Sequence, residues 1–197
     1  MSTRSRIYIK ASSDGKYPAR SIYCHFDGYI AGVGKTLLNH YTDPEKVNDL
    51  MRLGDLSSLG KEIGEKIKFS DRIEEDEFGQ PVQCKAYTRD RGEDSPAMYG
   101  DNWTNSNPAN DWVDYIYVFD PETRKWGFTY AEDRNKCGQE LQDLERTFKM
   151  EEMYTAKVFR SWHELDVKSR NLVSAILVEQ YHEDPMRVIN AINLPFI

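Results

Sequence analysis

Arg6-Ile7-Tyr8-Ile9-Lys10-Ala11, then Ser13-Asp14-Gly15-Lys16, then Arg20-Ser21-Ile22-Tyr23-Cys24-His25-Phe26-Asp27 open the chain with apolar–polar alternation on either side of turn-forming residues. Successive side chains of an extended backbone point to opposite faces, so such alternation turns one apolar face towards a core. The two segments predict an antiparallel hairpin.

Val82 to Thr88 alternates in the same way and is predicted as a strand. Tyr115 to Phe119 and Lys125 to Tyr130 flank Asp120-Pro121-Glu122-Thr123-Arg124, the pattern of a hairpin with a multi-residue turn. Between these strands, glycine-rich Gly28 to Gly34 leads into a short helix over Lys35 to Tyr41. Thr42-Asp43-Pro44-Glu45 then starts another helix, with a capping acid, a proline in the first turn and an early carboxylate. That helix carries Val47, Leu50, Met51 and Leu53 and stops at Gly54. Leu56 to Gly60 reads as a tight loop, 61–81 as charged and irregular, and Gly92 to Asp111 as a long loop. After Glu132 helical patterns dominate, over Gln139 to Met153, Val167 to Tyr181 and Pro185 to Ile192. The predicted class is α+β. An antiparallel sheet with helices packed on it occupies residues 1–131, and a mainly helical C-terminal segment, 132–197, packs on that core or extends from it.

Hydrophobic residues make up 39% of the 197, enough for a packed core and too many for a disordered polymer. The net charge of −7 disfavours nucleic acid as a direct ligand, because phosphate backbones select basic surfaces. No apolar run approaches the roughly 20 residues that cross a bilayer. Met1 to Arg6 leads straight into a strand without the apolar stretch of a signal peptide, so a cytoplasmic location is expected. Cys24, Cys84 and Cys137 are odd in number and widely separated, which fits reduced thiols better than a disulfide framework or a zinc site. Neither a cofactor nor a metal is implied.

The strand patterns sort residues onto two faces. Ile7, Ile9, Ile22, Cys24, Val82, Cys84, Ala86, Ile116 and Val118 form the predicted core face. Opposite them fall Tyr8, Lys10, Tyr23, His25, Asp27, Lys85, Tyr87, Arg89, Tyr115 and Tyr117, a set both aromatic and polar. Phenol rings suit a protein contact or stacking on a ligand. Two readings of this face stand: an open binding surface, or a layer covered by the C-terminal helices with the hydroxyls reaching water at its margin.

Other motifs offer narrower possibilities. Gly32, Gly34, Lys35 and Thr36 resemble the end of a P-loop, but the glycine such a loop needs at position 29 is Tyr. Only an anion at the following helix remains open there. His25 and Asp27 lie two apart, as an acid–base pair on one strand face would, which suggests a small hydrolase or transferase. His40, His163 and His182 add no metal-ligand spacing. In Arg89-Asp90-Arg91-Gly92-Glu93 two arginines flank an acid; they either clamp an anion or pair internally and fix the loop.

Ile22 to Tyr29, Gly32 to Leu38, Leu53 to Gly60 and Arg89 to Glu93, with Tyr117-Val118-Phe119-Asp120 and Trp126, together resemble a family found in bacteriophages, prophages and other mobile elements. The resemblance covers about the first 130 residues, and the family supplies no established activity or catalytic residue to carry over. It implies a context: small phage-encoded proteins of this kind bind a host protein inside the cell, and some block defence systems such as CRISPR–Cas. The expectation is therefore a non-enzymatic binding protein with a host-protein partner. A small-molecule or nucleotide binder using the Tyr/Arg face stands as the alternative.

Overall fold

A computed structural model describes residues 3–77, 79–100, 112–131 and 142–149. The opening hairpin forms as the alternation predicts: β1 (Ser5–Ile9) and β2 (Arg20–Cys24) pair antiparallel, with Ile7 opposite Ile22. The other strands are β3 (Leu56–Ser58), β4 (Lys85–Ala86), β5 (Met98–Tyr99), β6 (Tyr115–Asp120), β7 (Lys125–Tyr130) and β8 (Gln142–Asp143). They form one sheet in the order β4-β3-β2-β1-β6-β7-β8, with β5 beside β2.

The fold is α+β, but the sheet expected to be antiparallel is mixed. β1 pairs parallel with β6, and β2 parallel with β3. Parallel neighbours need a crossover. Between β2 and β3 it is supplied by α1 (Lys35–His40) and α2 (Pro44–Arg52). The capping pattern read from the sequence operates in α2, where the Asp43 carboxylate accepts from Glu45 N at 3.2 Å. Both helices lie against one face of the sheet. Leu37, Tyr41, Val47, Leu50 and Met51 pack there with Ile7, Ile9, Ile22, Cys24 and Leu56.

In β6 the predicted phase is reversed. Its register sets Tyr117 beside Ile7 and Phe119 beside Ile9, so Tyr115 and Tyr117 belong to the main core face. Ile116 and Val118 instead join Tyr8, Val113 and Ala131 in a second cluster on the other side. Tyr115 to Phe119 is apolar or aromatic at every position, so no polar side chain sets its phase. The tyrosine face expected to be shared by all strands is thereby split, and Tyr8 is 1% exposed.

Leu56–Ser58, expected as loop, is a strand. The predicted strand Val82 to Thr88 shrinks to Lys85–Ala86, because Tyr87–Arg91 winds into a π-helical turn closed by Gly92 at φ 75°. Past residue 131, β8 pairs with β7, and Leu144, in the helical stretch 144–149, is buried in the main core. The chain divides into two units between Phe148 and Lys149. The helices predicted over Val167 to Tyr181 and Pro185 to Ile192 lie outside the described residues, as do Cys137 and 101–111 of the long loop. Among the described residues no helix is long and apolar enough to cross a membrane.

Candidate functional site

Backbone pairing of β2 with β3 continues beyond Cys24: His25 N donates to Leu56 O and Phe26 N to Ser57 O, both at 3.0 Å. This continuation keeps Tyr23 and His25 on the face opposite Ile22 and Cys24. Tyr23 N donates to Asp55 Oδ1 at 2.8 Å, and the Tyr23 hydroxyl meets His25 Nδ1 at 2.9 Å. The imidazole stands edge-on to the ring of Phe26, centroids 4.5 Å apart, and Phe26 is 45% exposed.

Tyr23 and Tyr87 are both tied to Asp55, Tyr23 N donating to its Oδ1 and Tyr87 N to its backbone O at 3.0 Å. Tyr87 shares a hydrogen bond with Ser57 and stacks on Phe69 at 5.3 Å. Lys85 Nζ and Arg91 Cζ lie 5.4 and 5.1 Å from the Phe69 centroid. The result is a half-exposed strip running Phe26–His25–Tyr23–Tyr87–Phe69, bordered by Arg4, Lys85 and Arg91. Burial raises the Tyr23 and Tyr87 hydroxyls, which stay protonated. Burial, helped by the Arg4 charge, lowers His25 below its ordinary value, so the imidazole is neutral at pH 7.

Of the residues expected from sequence, Tyr23, His25, Tyr87 and Arg91 come together here. Tyr8 is sealed in the second cluster. Tyr117 is in the main core, its hydroxyl donating to Gly28 O at 2.8 Å, and Tyr115 stacks beside it. Asp27 lies past the strand at φ 57°, so the alternation that would align it with His25 does not reach it. The imidazole nitrogen meant for an orienting acid meets Tyr23 instead, and the acid–base pair does not form.

Arg89 is spent inside the fold. Its five N–H donors meet Asp90 Oδ1 and Oδ2 and the carbonyls of Ile63, Gly64 and Cys84, at 2.6–2.9 Å. Asp90 also accepts from Ile67 N and Ala86 N. Burial works to raise the Asp90 carboxyl, and these bonds outweigh it and hold it below the ordinary range. The pair is the internal clasp of the sequence's second reading. It pins 63–67 to β4 and winds the π-helical turn.

The glycine-rich segment also closes on itself. Ile30–Gly34 is a π-helical turn leading into α1. The amides of Gly32 and Gly34 donate to Tyr29 O, that of Val33 to Asp27 O, and that of Lys35 to Ile30 O and Gly32 O. Those amides are occupied, which removes the cradle an anion would need. Thr36 is buried, and Lys35 Nζ lies over the Phe148 ring at 5.9 Å.

Phe26, Phe69, Arg4 and Ser57 are members of the strip that the sequence pattern missed. Phe69 was hidden in an irregular charged stretch, where its one signal was an aromatic side chain among charges. Among the described residues no group of three or more His, Cys, Asp or Glu could hold a metal ion. Comparison of the chain with protein-family models, curated proteins and solved structures finds no match.

Proposed function

We propose that the protein is a non-enzymatic binding protein that meets a protein partner through the Phe26–Tyr23–Tyr87–Phe69 strip and its bordering cations. The observation that carries this reading is that the rings are pinned yet open. Each is fixed by a ring contact or a hydrogen bond, and each keeps part of its surface in water. Rings held this way lose little conformational freedom on docking, and aromatic and arginine side chains dominate protein contacts. The likeness of the first 130 residues to phage-borne sequences supports a host protein as the partner. Blocking a defence system is one form such binding takes.

Phe26→Ser and Arg91→Glu test the surface, since both side chains are exposed. Tagged wild-type protein expressed in the host should capture a partner that neither variant retains, with melting temperatures within about 2 °C, as surface changes leave stability nearly intact. A partner retained equally by both variants refutes the strip as the contact.

A further inference from the structure

Arg20 opens β2 on the core face and is 3% exposed. Its Nη2 donates to Asn48 Oδ1 on α2, and the Tyr99 ring of β5 covers the guanidinium, with its centroid 5.4 Å from Cζ. Neither partner carries a charge. The buried Nε–H has no hydrogen-bond partner, and among the described residues no carboxylate forms an ion pair with Arg20. A buried cation without an opposing charge is among the costliest features a fold can hold. Arg89, by contrast, has the Asp90 carboxylate.

Arginine only donates, so Asn48 must turn its oxygen towards Arg20, which leaves its amide nitrogen as a further donor beside the guanidinium. Asn48 is itself 8% exposed. The cover is slight. β5 is two residues long, Gly100 follows it at φ 70°, and the Tyr99 ring beside Arg20 is itself 70% exposed.

We propose that Arg20 and Asn48 form a binding site for a carboxylate, with Tyr99 as its movable cover. The ligand class follows from charge and shape. A single guanidinium balances one negative charge, and the paired oxygens of a carboxylate match its planar donors. A phosphate dianion would bring more charge than the site supplies. The site lies on the helix-covered face of the sheet, separate from the aromatic strip, and stands or falls independently of the proposed partner surface.

Acetate is the first probe, with chloride and phosphate at matched ionic strength. The site predicts a saturable shift of the Arg20 Nε–H resonance in the full chain, and a rise in melting temperature with acetate over chloride. Arg20→Gln should weaken acetate binding at least about tenfold, through loss of a charge-assisted pair. If that variant fails to fold, Arg20→Lys replaces it, and the resonance still reads the unmutated chain. N-acetylglutamate amide then separates the sources: a response to it as well as to acetate admits a protein's acidic side chain, and a response to acetate alone restricts the ligand to a free anion. An unmoved resonance overturns the proposal. So does a shift with phosphate and none with acetate, or an acetate response undiminished in the variant.

Discussion

Asp90 sits in a π-helical turn with its side chain fully buried, accepting from Arg89, Ala86 N and Ile67 N. Removing one partner of a buried pair strands the other, so Asp90→Ala should cost about 3 kcal/mol in chemical denaturation. The folded-state carboxyl lies below its ordinary value of 3.8. Its contribution is therefore present above that pH and is lost as pH falls through the folded value, and Asp90→Asn should remove that part of the acid sensitivity. His25 and His40 act at a higher pH. Burial lowers both from 6.5, with Arg4 assisting at His25 and Lys46 and Lys61 at His40. Below 6.5 the unfolded chain takes up protons first, so stability should decline as pH drops from 7 towards 5. A double variant, His25→Asn with His40→Asn, should flatten that decline in thermal melts. His25 and Asp27 would share a face only if β2 stayed extended through both residues. The backbone at Asp27 turns left-handed, and one dihedral removed the pair.

The π-helical turn before α1 brings backbone to backbone at Gly32, where an added Cβ would clash with Asp27 O. Gly32→Ala should destabilise by about 1–3 kcal/mol through overpacking, as measured by urea unfolding. Packing therefore accounts for Gly32, although the glycine spacing in the sequence suggests phosphate. α2 was legible because its cap, its proline and its apolar spacing all agree. β6 was legible as a strand and misread in phase, since Tyr115-Ile116-Tyr117-Val118-Phe119 offers no polar position to mark the outside. β4 was cut short by the Asp90 carboxylate taking Ala86 N, a competition between side chain and ladder that alternation does not register.

Across the whole molecule, two buried thiols report on global opening. Cys24 and Cys84 are both 0% exposed; burial pushes the Cys24 thiol up to about 12 and raises Cys84 as well. In a Cys137→Ser background, both should react with a thiol reagent only through unfolding, at least about a thousandfold slower than a free thiol. Labelling at the free-thiol rate in native buffer would contradict this burial. On the main face of the sheet α1 and α2 pack over the core, and on the other face Tyr8 and Ile116 are buried in the second cluster. Of the expected tyrosines, Tyr8 and Tyr117 are buried, while Tyr23 and Tyr87 keep part of their surface in water along the β2–β3–β4 margin, where the candidate surface lies.

Local pattern by itself determined the α+β class, the opening hairpin, the β6–β7 hairpin, the helix capped by Asp43 and a core built on Ile7, Ile22 and Cys24. Each depends on residues close in the chain, where periodicity and capping act directly. Tertiary packing alone set the parallel pairing of β1 with β6, the inward turn of Tyr117, the seating of the Arg89–Asp90 clasp against 63–67 and the approach of Tyr23 to Tyr87 and Phe69. These depend on which distant segments pack together, a choice made by the fit of whole surfaces that no short stretch of sequence encodes.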